Sequence, residues 1–164
     1  MRKLVSLLLA VCMIAVCSVA SAIPGNVGFA NTARFLQALE QYDLNYSYLG
    51  LDEYDDDHVR ITLGEDISIN FFFTMDNEEC NISIWNVVEL NPESIEEAYR
   101  ICNELNARYK YCTFYVDTSD NTVTMSMDLI LRDCDDAGDI CLEALDRVGY
   151  IYEIGHDVLL AVAK

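Results

Sequence analysis

The chain has 164 residues, with 28 acidic against 10 basic side chains and a formal net charge of −18. A surface of that sign repels nucleic acid and anionic lipid, and favours cationic partners or divalent ions. An apolar content of 52% excludes low-complexity disorder, and the length fits one domain that needs no metal or disulfide to fold.

The chain opens with Met1-Arg2-Lys3, an uncharged and largely apolar run from Leu4 to Val19, and Ala20-Ser21-Ala22. A short positive start, an apolar run and a small-x-small end make a secretory signal peptide over residues 1–22. The run is shorter than the ~20 residues of a spanning helix, so a retained anchor is the lesser reading. No later segment reads as a membrane span. All 28 acids and 8 of the 10 bases lie beyond residue 22, so the exported portion carries 8 − 28, or −20. Its expected location is outside the cytoplasm, secreted or periplasmic. Residues 23–30, with Pro24, Gly25, Asn26 and Gly28, read as a flexible leader, and 31–164 as a single α+β domain.

Asn31 or Thr32 is expected to cap a first helix ending near Tyr42, with Phe35, Leu36, Leu39 and Tyr42 on one face. A short, weak strand signal follows at Tyr46 to Leu49, then an acidic loop from Asp52 to Asp57. Val59, Ile61 and Leu63 alternate with Arg60 and Thr62. After a Gly64-Glu65-Asp66 turn, Ile67, Ile69, Phe71, Phe73 and Met75 alternate with polar residues and Phe72. The Asp76–Glu79 loop leads to a return strand, with Ile82 and Ile84 on one face and Ser83, Trp85 and Val87 on the other.

Asn91-Pro92 stops the sheet and starts a helix, with Asn91 as cap and Pro92 at the first helical position. Ile95, Ala98, Tyr99, Cys102 and Leu105 form its apolar stripe, and Asn106 is a plausible stop. Cys112, Phe114 and Val116 alternate with Tyr111, Thr113 and Tyr115. After the 117–121 turn, Val123, Met125, Met127, Leu129 and Leu131 mark a long central strand. A closing helix carries Ala137, Ile140, Cys141, Ala144, Leu145 and Val148 inward, with Gly149 and Gly155 placed to bend or break it. The order α-β-β-β-α-β-β-α, with an optional strand near Tyr46, predicts an antiparallel sheet of about five strands with helices on one face.

Five cysteines lie beyond residue 22: Cys80, Cys102, Cys112, Cys134 and Cys141. An odd number cannot all pair internally, and the spacing matches no zinc pattern. Periodicity places Cys102, Cys112 and Cys141 in the core as small apolar residues. Cys134 and Cys141 are the pair close enough for a local bridge.

Cys102-Asn103-Glu104-Leu105-Asn106, then Lys110-Tyr111 and a strand ending at Asp117, resembles the YbjN family. These are bacterial proteins described as sensory transduction regulators, with a type III secretion chaperone-like fold. The resemblance runs from about Asn31 to Ile151. It implies that fold and partner binding through sheet or helices, and supplies no catalytic residue. The signal peptide departs from a cytoplasmic regulator, and the cysteine content is high for the family.

No nucleophile stands in a recognisable catalytic setting, and no phosphate-cradling glycine loop or H-E-x-x-H is present. No cofactor is called for. The residues singled out for partner binding are Asn103, Asn106, Tyr111, Tyr115 and Trp85. Asn103 also reads as a bond to an adjacent strand, and Asn106 as a left-handed helix stop. The aromatic residues suggest a second apolar sheet face that covers a helix, a homodimer partner or a peptide. Asp52, Asp55 and Asp57 are the weaker, metal-binding alternative, without the D-x-D-x-D-G order of a calcium loop. His58 borders those acids, which favour its protonated form. The expectation is an exported, non-enzymatic interaction module for a basic-amphipathic peptide or protein, with an extracytoplasmic divalent-cation-binding domain as the alternative.

Overall fold

The computed structural model describes residues 27–64 and 67–164. The signal-peptide reading, the first half of the leader (residues 23–26) and two residues of the 64–66 turn lie outside them. The elements are α1 (Ala30–Gln41), β1 (Ser47–Leu51), β2 (Asp57–Leu63), β3 (Ile67–Phe73) and β4 (Glu79–Glu89). A 3-10 turn (Pro92–Ser94) then precedes α2 (Ile95–Arg108), β5 (Thr113–Asp117), β6 (Thr122–Ile130) and α3 (Ala137–Leu159). All six strands are antiparallel in one sheet of order β1-β2-β3-β4-β6-β5. The weak signal near Tyr46 is therefore a sixth strand, β1, and the rest of the expected order holds.

Strand alternation builds the core. Val59 and Ile61 face Phe71 and Ile69 in register across β2 and β3, and all four are buried with Ile82, Ile84, Met125 and Phe114. The helices pack on this face. Phe35 of α1 lies 4.6 Å from the Phe71 ring and 5.8 Å from Phe73. Burying aromatic rings of this size dominates the energetics of so small a core. Met75, expected to extend the β3 stripe, lies beyond the strand end in the turn and is 67% exposed.

Four local expectations are corrected. The first helix starts two or three residues earlier than expected, at Ala30, with Phe29 as its cap residue. Asn31 instead lies inside the helix, fully buried. Its side-chain amide donates to the carbonyls of Asn77 (2.7 Å) and Arg132 (2.6 Å), tying α1 to two distant loops. In β4, Ile84 opposes Met125 while Val88 opposes Val123, so two extra residues bulge out of the ladder. Asn86 takes φ 54° there, a conformation asparagine tolerates. The phase of Ile84 resumes at Val88, and within the bulge Val87 is buried in the core instead of lying beside Trp85. Asn91 stands at the cap and Pro92 at the first helical position as expected, in a 3-10 turn leading into α2, but Tyr99, expected in the apolar stripe, stays half-exposed. Finally, α3 continues unbroken through Gly149 and Gly155. Gly155 is required by close approach: a Cβ there would stand 2.4 Å from Cζ of Phe114.

All five cysteines of the described residues are free, so Cys134 and Cys141 do not form the local bridge. Cys80, Cys102, Cys112 and Cys141 are buried, and Cys134 is half-buried. Burial, then a hydrogen bond with Cys141, pushes the Cys80 thiol well above its ordinary range. Burial pushes Cys102 and Cys112 to about 11. Among the described residues, no helix is long and apolar enough to cross a membrane.

Candidate partner-binding face

The sheet face opposite the helices is built by the residues that alternate with the core. Ser47, Arg60, Asn70, Ser83, Ser126 and Thr113 stand in register, one from each strand, as a polar row across the whole sheet. Asn70 is its hub. Its Oδ1 accepts from Nε of Arg60 (3.0 Å) and lies 2.9 Å from Nε2 of His58. Its amide donates to the carbonyls of Ser68 and Ser83. The Nε2–H tautomer of His58 satisfies this geometry.

An aromatic row lies beside the polar one. The His58 ring stacks on Phe72 at 4.3 Å, and Phe72 meets Trp85 at 5.8 Å. Trp85 is 48% exposed and Tyr115 is 43% exposed. Burial, the first cause, and the Arg60 charge hold the His58 pKa below its ordinary value, outweighing the Asn70 hydrogen bond and Asp52. This corrects the expectation of a protonated His58: a ring flattened against Phe72 loses more hydration than the acidic loop returns. The arrangement offers a stacking surface with fixed donors and acceptors around it.

The residues picked from sequence fall in different places. Trp85 and Tyr115 lie on this open face. Asn106 does not. Its amide donates to the carbonyl of Phe114 (2.9 Å) and its Oδ1 accepts the Phe114 N–H (2.7 Å), so it is a strut between α2 and β5. α2 runs past it to Arg108, so Asn106 is not a helix stop. The strand-bonding role expected of Asn103 thus belongs to Asn106, while Asn103 is exposed on α2. Tyr111 lies between α2 and β5, with the guanidinium of Arg147 over its ring at 4.6 Å.

The acidic loop does not gather its carboxylates. Asp52 Oδ1 accepts the N–H groups of Tyr54 and Asp56, forming its own turn. Asp55 is exposed at φ 64°. Asp57 turns inward and is fully buried. It accepts the N–H groups of Gly28 (3.3 Å) and Phe29 (2.9 Å) and the Tyr48 hydroxyl (2.5 Å). Asp57 thus secures the entry to α1, where a negative charge also complements the helix end. Burial and this hydrogen bond push Tyr48 to about 12. Among the described residues, no three His, Cys, Asp or Glu side chains are placed to hold one metal ion.

Arg60 and Asn70 were missed because each is a lone polar residue in an alternating strand, and only the pairing of β2 with β3 joins them. His58 was noticed for its acidic neighbours in sequence, and its working neighbours are across the strand.

The family model described as "Putative bacterial sensory transduction regulator", YbjN, matches residues 31–157. The crystal structure of YbjN from E. coli, "a putative transcription regulator", superposes with a TM-score of 0.54 at 10% identity. The match covers 77% of this chain and 88% of that chain, and at such identity it is a likeness of fold. No curated protein matches the chain. With the family model covering well over half of the sequence and the fold agreeing with a solved member, the chain belongs to the YbjN family.

Proposed function

We propose that this YbjN-family chain is an exported, acidic, non-enzymatic interaction module. It takes a basic-amphipathic peptide or protein on the open face of its sheet. The observation that carries the reading is the aromatic row of His58, Phe72 and Trp85 on a helix-free face of a strongly anionic domain. Exposed aromatic side chains on a rigid sheet supply contact area at low entropic cost. The surrounding negative charge steers a cationic partner and contributes mainly to encounter rate. His58 is engaged with Phe72 and Asn70, which suits a binding role better than proton transfer.

Trp85 is the only tryptophan, so its emission reports directly on this face. A lysine- and leucine-rich amphipathic peptide is expected to give a saturable blue shift that survives ~0.15 M salt, where charge alone is screened within about 8 Å. Phe72→Ala is expected to weaken the response about tenfold, a cost of about 1.4 kcal/mol. An unchanged emission, or a response that vanishes as salt rises, would overturn the reading. Sequencing the amino terminus of the protein from secreted and envelope fractions tests export: a start at Ile23 supports it.

A further inference from the structure

On the helix side of the molecule, three cations collect in one concavity of about 420 Å³, formed by residues 108–111 and by Arg147, Tyr150 and Ile151 of α3. Arg108, Lys110 and Arg147 are three of only eight lysines and arginines beyond residue 22, where 28 acids lie. Two other arginines pair with acids. Arg34 binds Asp133 and Asp135, and Arg100 binds Glu97 and Glu104. Arg108, Lys110 and Arg147 form no ion pair among the described residues. Tyrosines hold the two guanidinium groups instead: Arg147 lies 4.6 Å over Tyr111, and Arg108 lies 5.3 Å over Tyr109. A guanidinium held over a ring by cation–π attraction still has N–H donors to direct at an anion. Arg108 also complements the C-terminal end of α2. That accounts for one cation, and not for Lys110 beyond the helix or Arg147 on another one.

We propose that this concavity binds a small aromatic anion, a flat ring carrying one phosphate or carboxylate group. Size and lining select it. The volume falls in the range of small-molecule pockets, about 300–1,000 Å³. Tyr150, 47% exposed, and the buried Ile151 give the ring an apolar wall and floor. Glu143 and Asp146 line the adjoining hollow with Arg147 and Tyr150, and they exclude a second anionic group on that side. A small ligand sits wholly within one screening length, about 8 Å at physiological salt, of the three cations. A nucleic acid or an acidic protein reaches well beyond that length and meets the acidic remainder of the surface.

The test uses the protein purified from the compartment where it accumulates, titrated calorimetrically with phenyl phosphate, benzoate, inorganic phosphate and benzyl alcohol. Phenyl phosphate or benzoate is expected to saturate with a Kd near or below about 1 mM. Whichever binds tighter identifies the anionic group. Inorganic phosphate is expected to be at least about tenfold weaker, and benzyl alcohol not to bind. Arg147→Gln is expected to weaken binding about tenfold, as loss of a charge-assisted hydrogen bond does. Arg108→Gln with Lys110→Gln gives the same loss without disturbing the Arg147–Tyr111 contact, and Arg100→Gln changes nothing. The proposal is overturned if neither aromatic anion saturates by about 10 mM, if inorganic phosphate binds as tightly, or if both sets of variants keep full affinity. Its probes and variants lie away from Trp85 and the open sheet face, so the peptide reading stands or falls separately.

Discussion

Gly149→Ala and Gly155→Ala, six residues apart in α3, are expected to move stability in opposite directions. Alanine in a helix interior is favoured over glycine by about 0.8–1.0 kcal/mol. At Gly149 the new methyl group would meet only Leu63 Cδ1, at 4.0 Å, so the full gain of about 1 kcal/mol is retained. At Gly155 it would stand 2.4 Å from Cζ and 2.6 Å from Cε1 of Phe114. Phe114 is 1% exposed and walled in by the sheet, so the ring cannot swing clear. Overpacking costs about 1–3 kcal/mol, and a 2.4 Å approach belongs to the upper part of that range, about 2–3; the helical gain of about 1 kcal/mol offsets part of it, leaving a net loss of about 1–2 kcal/mol. In urea unfolding with an unchanged slope of about 2 kcal/mol/M, Gly149→Ala raises the midpoint by about 0.5 M and Gly155→Ala lowers it by about 0.5–1 M. Phe114→Leu in the Gly155→Ala background relieves part of the loss. Shifts of the same sign for the two glycines would refute an unbroken α3 seated on Phe114.

Asp57→Asn places an amide against the Gly28 and Phe29 N–H groups and is expected to cost about 2–4 kcal/mol, whereas Asp55→Asn stays within about 0.5 kcal/mol. Equal effects in thermal unfolding would sink the assigned role of Asp57. Tyr46 and Tyr48 are both pushed to about 12, chiefly by burial, with hydrogen bonds to Glu40 and Asp57 adding to it. The folded state therefore holds these protons more tightly than the unfolded chain. Their contribution is complete below the ordinary tyrosine value of about 10 and is lost as pH rises toward 12. Tyr48→Phe should flatten that alkaline decline, and an unchanged decline argues against it. Of the five cysteines beyond residue 22, Cys134 alone should react with a thiol reagent in the native protein, with Cys80, Cys102, Cys112 and Cys141 following only in denaturant. Prompt native labelling of two or more would contradict the packing.

The parts of the fold legible in the sequence are those set by short-range period. The alternation through Ile67 to Phe73 and Val123 to Leu129, and the stripe from Ala98 to Leu105, place their residues on the core side without further information. What escaped depends on contacts distant along the chain. Asp57 looks like one more acid in an acidic run, because its partners, Gly28 and Phe29, lie 29 and 28 residues away. Asn31 reads as a cap until Asn77 and Arg132 are brought beside it. A two-residue bulge at Asn86 is silent in a pattern of period two, so Val87 was assigned to the wrong face. The candidate sites follow the same rule. Trp85 and Tyr115 were visible as aromatics in strands, but the hub at Asn70 exists only through strand pairing. Arg147 joins Arg108 and Lys110 only because α3 passes the end of α2.

The strut at Asn106 has a consequence for how copies of this protein coexist at high concentration. An open sheet ends in two strands whose outward backbone groups invite a foreign strand to zip on. At the β5 end, Asn106 occupies both outward groups of Phe114, standing in for a missing neighbour. At the other end, β1 is five residues long and its ladder slips between Tyr48 and Gly50, where Gly50 takes φ 84°. One border is plugged by a side chain and the other is short and irregular. Edge-to-edge polymerisation is thereby discouraged at both ends, with α2 lying along the β5 border, and the flat faces are left as the surfaces on which encounters count.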